Sequence, residues 1–240
     1  DDEAIFQTIT YKVRVEEVYN FQISTDESSI EGAPGDSIYY TLKLENTGNS
    51  VDTYDIQVKD LPNNWTYSVS SSYTLEHDTK LTFLVTINIT GDYLKAKADN
   101  YAFTIKLVSR GNDTVEKSLS LTTVVTQKYG LEASPEASST SKDLDPYGDD
   151  IEFDLNLKNT GNGEDTVTFR IKRYPSGWST SFFTFSPTAV TILSGSTSAM
   201  KTVTVRISSS SVESDAGRYD FVVVAISKNG DEFSCTPIYI

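Results

Sequence analysis

Apolar and polar residues alternate with a period of two over much of this chain. Ile38, Tyr40, Leu42 and Leu44 alternate with Tyr39, Thr41, Lys43 and Glu45, and Tyr54, Ile56 and Val58 alternate with Asp55, Gln57 and Lys59. Leu81, Phe83, Val85, Ile87 and Ile89 continue the pattern. Successive side chains of a strand point to opposite faces, so each run predicts a strand with one face in a core and the other in water. Further runs predict strands over 101–107, 114–125, 151–157, 166–172, 202–207 and 219–226. Helical periodicity is nearly absent; its best stretch, 92–99, suffices for a single turn. About seven strands per ~110 residues, with turn residues every ~8–12, predicts β-sandwich architecture.

The pattern also repeats. Gly35-Asp36 recurs as Gly148-Asp149, Asn46-Thr47-Gly48-Asn49 as Asn159-Thr160-Gly161-Asn162, Asp52-Thr53 as Asp165-Thr166, and Pro62 and Trp65 as Pro175 and Trp178. All these pairs share one offset of 113 positions, and Ile38, Leu42 and Leu44 match Ile151, Leu155 and Leu157 at the same offset. Tyr101-Ala102-Phe103 then matches Tyr219-Asp220-Phe221 at 118, which puts insertions in the intervening loops. A shared register over such a length is the mark of a tandem repeat. The fold class expected is all-β, two tandem immunoglobulin-like β-sandwich domains, over residues 17–127 and 128–240. The Asn-Thr-Gly-Asn segments read as turns whose Gly and Asn can take positive φ.

Ile9, Tyr11, Val13 and Val15 alternate ahead of Tyr19 as Leu119, Leu121, Thr123 and Val125 do ahead of Tyr129, 110 positions later. Residues 1–16 therefore read as a strand left from a preceding repeat, with an extra edge strand of the first copy as the alternative. On this reading the chain is a piece of a longer array, and Ile240 falls a few residues into the last strand of the second copy. The segment from Asp215 to Phe221 resembles the tyrosine corner of immunoglobulin-like domains, in which a Tyr hydroxyl bonds loop backbone. The first copy keeps Tyr101 and Phe103 but has Lys97 and Asp99 in place of Asp215 and Gly217.

Leu44-Glu45-Asn46-Thr47-Gly48-Asn49, Asp52-Thr53-Tyr54 and Leu61-Pro62-Asn63-Asn64-Trp65 resemble the Ig-like repeats of archaeal and bacterial surface proteins, which include the NEW3 and CARDB domains. The second copy carries the same frame in Leu157–Asn162, Asp165-Thr166-Val167 and Tyr174–Trp178. The resemblance spans nearly the whole chain. It implies an extracellular or cell-surface setting and a role as spacer, stalk or adhesion module.

Composition narrows the partners. With 20 Lys plus Arg against 34 Asp plus Glu among 240 residues, the formal charge is −14. Such a field repels nucleic-acid phosphates and anionic membrane surfaces. No apolar run approaches the roughly 18 residues of a membrane helix. One Cys and one His leave little for soft-metal or nucleophile–base chemistry, so the chain reads as non-catalytic. Cys235 reads as a buried structural thiol.

The remaining candidates are local. Trp65 and Trp178 hold the same position of the repeat, which favours packing over a sugar platform. Asp143, Asp145, Asp149 and Asp150 form the best metal candidate, for calcium. Tyr147 and Gly148 break any EF-hand spacing, and a solvated acidic loop is the simpler reading. His77 lies in a turn and has no counterpart in the second copy. Asn64, Asn88 and Asn112 head Asn-x-Thr sequons, the acceptor motif for glycosylation. The function these features indicate is a structural or adhesive repeat contacting other surface proteins or its neighbouring repeats. The alternative is an accessory carbohydrate- or protein-binding module of a secreted enzyme, with Tyr39, Tyr67 and Tyr73 as an aromatic face for a glycan.

Overall fold

The computed structural model describes residues 7–145, 147–195, 200–207 and 217–240. Up to residue 125 the strands are β1 (Phe21–Thr25), β2 (Ser29–Gly32), β3 (Ser37–Asn46), β4 (Asp52–Lys59), β5 (Thr66–Ser68), β6 (Ser72–Leu75), β7 (Lys80–Asn88), β8 (Asn100–Ser109) and β9 (Glu116–Val125). From residue 131 they are β10 (Leu131–Pro135), β11 (Ile151–Asn159), β12 (Asp165–Arg173), β13 (Phe183–Ser186), β14 (Ala189–Ile192), β15 (Met200–Ile207), β16 (Asp220–Ile226), β17 (Glu232–Ser234) and β18 (Ile238–Tyr239). Two short 3₁₀ turns, at Ala137–Ser139 and Thr180–Phe182, are the helical elements among the described residues. No helix there is long and apolar enough to cross a membrane.

The strands make four sheets. Sheet β1-β3-β7-β5 lies over β2-β9-β8-β4-β6, and β10-β11-β15-β13 lies over β14-β12-β16-β17, with β18 beside β16. Among the described residues the named strands pair antiparallel apart from β2 on β9, and Ser141 makes an isolated parallel bridge to Tyr239. No sheet mixes strands from before residue 125 with strands from after residue 131. The buried side chains divide the same way, into a cluster from Phe21 to Val125 and another from Leu131 to Ile238.

The long strands follow from the alternation. In β3 and β7, Ile38 stands opposite Ile87, Tyr40 opposite Val85 and Leu42 opposite Phe83, all facing one core. Register is pinned because a slip of one residue would turn this whole set to water. Tyr40 meets Phe103 across the sheets edge-on at 5.4 Å, and Phe153 meets Phe221 in the same way at 5.3 Å, at the equivalent repeat positions. Burying each such ring contributes about 1.5–3 kcal/mol, with edge-to-face geometry adding to it. The tyrosine corner is present in the first half, where Tyr101 Oη donates to Lys97 O at 3.0 Å.

In the second half the last strand is broken between β17 and β18 by Cys235, Thr236 and Pro237, and Pro237 has no N–H for a ladder. Together β17 and β18 run beside β16 from Ile226 to Asp220. The strand thus extends further than the sequence expectation of one cut short near Ile240. Residues 7–20 join no sheet.

Candidate functional site: an asparagine-clamped junction

The second-copy turn Asn159–Asn162 lies where β9 passes into β10. Asn159 ends β11 and is buried. Its amide donates to Gly163 O and Ile192 O, both at 2.9 Å, while its Oδ1 accepts from Gly161 N at 2.9 Å. The first half repeats this arrangement: Asn46 donates to Ser50 O (2.9 Å) and Leu75 O (3.0 Å) and accepts from Gly48 N (3.0 Å). The first Asn of each motif is therefore the internal brace of its own turn. A side chain with two donors and an acceptor replaces backbone pairing that a tight turn cannot supply.

The second Asn faces outward, to the connection. Asn162 is fully buried. Its Nδ2 donates to Ala96 O at 2.9 Å and Thr126 O at 3.0 Å, and its Oδ1 accepts from Lys128 N at 2.7 Å. Its backbone N donates to Lys128 O (3.1 Å), and its carbonyl accepts from Ala98 N (3.0 Å). One residue of the second half thus ties both the 126–128 connection and the 96–98 loop of the first. Gln127 Nε2 adds a bond to Glu164 O at 2.6 Å, and Thr160 N adds one to Gly130 O at 2.9 Å. The 96–98 loop follows a hydrogen-bonded turn, not a helix, in which Lys95 N and Ala96 N both reach Asp92 O at 2.9 Å.

Glycine is required here for close approach. A Cβ on Gly161 would stand 2.3 Å from Lys128 O, a backbone atom with little room to move. The expected positive φ is absent: among the described residues neither Gly161 nor Gly48, and neither Asn162 nor Asn49, has one. These turns need a small residue because another segment of backbone lies against them.

Asp165 braces the same end. Its carboxylate accepts from Ser227 Oγ (2.6 Å) and Lys228 N (3.0 Å), as Asp52 accepts from Ser109 Oγ (2.5 Å) and Gly111 N (3.0 Å). Both aspartates are buried. Sequence reasoning marked Asn46, Asn159, Asp52 and Asp165 as repeat landmarks and missed their work. It had no signal at all for Ala96, whose contribution is a backbone carbonyl.

No family model matches the chain, and no curated protein sequence does. Its structure is similar to the extracellular cadherin domains 1–5 of protocadherin gamma B2, with a TM-score of 0.55 and 14% identity, over 95% of this chain and 40% of that one. The likeness is one of fold. The D00-D0 domain of intimin aligns over 93% of this chain and 99% of its own at 14% identity, with a TM-score of 0.41. The chain is thus an all-β protein with immunoglobulin-like structural neighbours.

The other candidates lie apart from the junction. Asp143, Asp145 and Asp149 are exposed; Asp145 Oδ1 accepts from Tyr147 N (2.9 Å), and Asp150 lies 3.4 Å from Arg206 Nε. Among the described residues no three acidic, His or Cys side chains converge as a metal site. His77 is exposed beside Asp78. Trp65 and Trp178 are buried, against Tyr101 and Tyr219 respectively. Tyr39 and Tyr67 are exposed, but Tyr73 packs on Phe83 at 4.7 Å, so the three do not form one aromatic face. Asn64 and Asn112 are exposed; Asn88 is half-buried between the hydroxyls of Ser37 and Thr66. Cys235 is buried, and desolvation pushes its thiol up to about 11.

Proposed function

We propose that the chain is a pair of tandem immunoglobulin-like modules, over residues 17–127 and 128–240, that serves as a non-catalytic spacer or adhesive segment of a cell-surface or secreted protein. One observation carries this reading. The second Asn of the repeated turn, Asn162, commits its side chain to the 126–128 connection and the Ala96 loop, and so holds one half against the next. A segment that must set a distance or transmit a pull needs fixed junctions, and every hydrogen-bonding group of Asn162 is committed to one. The separate cores and separate sheets support the division into two modules. The sequence resemblance to NEW3- and CARDB-like surface repeats points the same way. Its partners on this reading are neighbouring repeats and other surface proteins, with no resident metal or cofactor.

A glycan array on the folded chain separates this function from carbohydrate recognition. A spacer gives no selective glycan binding. A selective ligand whose binding is lost in Tyr39→Ala or Tyr67→Ala would replace the spacer reading with that of a carbohydrate-binding module.

A further inference from the structure

The 126–130 connection has a counterpart 110 positions earlier. Val18 O accepts from Asn49 N at 3.0 Å where Lys128 O accepts from Asn162 N at 3.1 Å. Val18 N donates to Asn49 Oδ1 at 2.7 Å, the distance also found from Lys128 N to Asn162 Oδ1. Asn49 Nδ2 donates to Glu16 O (2.9 Å) as Asn162 Nδ2 donates to Thr126 O (3.0 Å). A Cβ on Gly48 would stand 2.3 Å from Val18 O, again matching Gly161 and Lys128 O. Residues 16–20 therefore lie on the first turn as residues 126–130 lie on the second.

What lies on the far side differs. Thr126 follows β9, whose Leu121, Thr123 and Val125 are buried. Glu16 follows Ile9, Tyr11, Val13 and Val15, which are 67%, 82%, 88% and 77% exposed. Those four are in repeat register with Leu119, Leu121, Thr123 and Val125, and the alternate residues Thr10, Lys12 and Arg14 are polar. Asn162 is covered by the Ala96 loop, whereas Asn49 is exposed and no such loop covers it among the described residues.

We propose that residues 9–15 and the Asn46–Asn49 turn form a docking surface for a further β-sandwich of this same kind. That sandwich takes residues 9–15 as its final strand and covers Asn49 with a loop carbonyl, as Ala96 covers Asn162. The occupant is specified by continuity with the 126–162 contact, because the half that receives it is already built in the same way. An apolar strand left without a sheet is an aggregation hazard, and pairing within a sandwich removes it. The proposal rests on reading 126–130 as a junction between tandem modules.

The test joins residues 20–117 ahead of residue 8 of this chain, so that residues 8–15 stand where 118–125 stand in the first half. A second fusion carries Tyr11→Leu, which restores the residue size of the buried Leu121 position. In at least one fusion the amides of residues 9–15 should exchange with solvent roughly a hundredfold more slowly than in the unextended chain. Asn49→Ala should then loosen the added sandwich and leave the Asn162 contact unchanged. Free exchange at residues 9–15 in both fusions would overturn the proposal. So would concentration-dependent protection of 9–15 in the unextended chain, which would make a second copy the occupant. The relative orientation of the two native halves, measured in the same samples, keeps the readings apart. If it stays fixed while 9–15 remain unprotected, docking fails and the spacer reading stands.

Discussion

Asn162 and Asn49 are the same residue in the same local bonds, and they differ in burial. Removing a side chain from a buried position strands its former partners, each costing about 1–3 kcal/mol, while an exposed position lets water replace it. Asn162→Ala should therefore lower unfolding free energy in urea by about 2–4 kcal/mol, and Asn49→Ala by well under half of that. Equal losses would show that the second bond, to Ala96, is not what matters. Trp65 and Trp178 belong to the cores, and replacing either with Ala should cost roughly 3–5 kcal/mol. Red-shifted fluorescence, freely quenched by iodide in the folded chain, would contradict their burial. Cys235 gives a pH-dependent check. Its folded pKa is raised by burial to about 11, so the protonated thiol is favoured in the fold. That stability is fully present below the unfolded thiol value of about 8.5 and is lost as pH rises through the folded one. The native thiol should resist alkylation near pH 8, and Cys235→Ala should flatten the fall in stability over that window. Rapid labelling of folded protein would overturn the assignment.

At the scale of elements, the long strands were legible in the sequence because their alternation is driven by burial on one face. β3, β4, β7, β8, β11 and β12 lie where the pattern put them. The edge strands β1, β5, β6, β13 and β14 were not legible. At 3–5 residues they are too short for periodicity to register, and their positions follow from pairing with a neighbour. The candidate site was half legible. The offset repetition of Asn-Thr-Gly-Asn and Asp-Thr marked the residues, but the positive-φ explanation was wrong because close backbone approach is a tertiary property invisible in a local motif. The Asp143–Asp150 loop supports a further expectation at this scale. Its carboxylates are dispersed, and calcium up to millimolar levels should leave the melting temperature within a few degrees; a ligand at its dissociation constant adds only about 0.4 kcal/mol. A strong calcium-dependent rise, abolished by Asp145→Ala and Asp149→Ala, would establish a site there.

For the whole molecule, the acidic surface and the clamped connection bear on separate properties. A charge of −14 adds repulsion between copies and disfavours polyanions. On the proposed two-module reading, the clamp sets whether the two halves move as one. Short connections alone leave interdomain motion as the default, so on that reading a fixed junction needs specific bonds, and Asn162, Gln127 and Thr160 make bonds there. Residual dipolar couplings from backbone amides on both sides of the connection test this most directly. A single alignment tensor should fit residues 21–125 and 131–240 together in the native chain, and Asn162→Ala should require two. If the native chain already requires two tensors of different magnitude, the halves reorient freely, and the account of the junction as a fixed spacer is wrong.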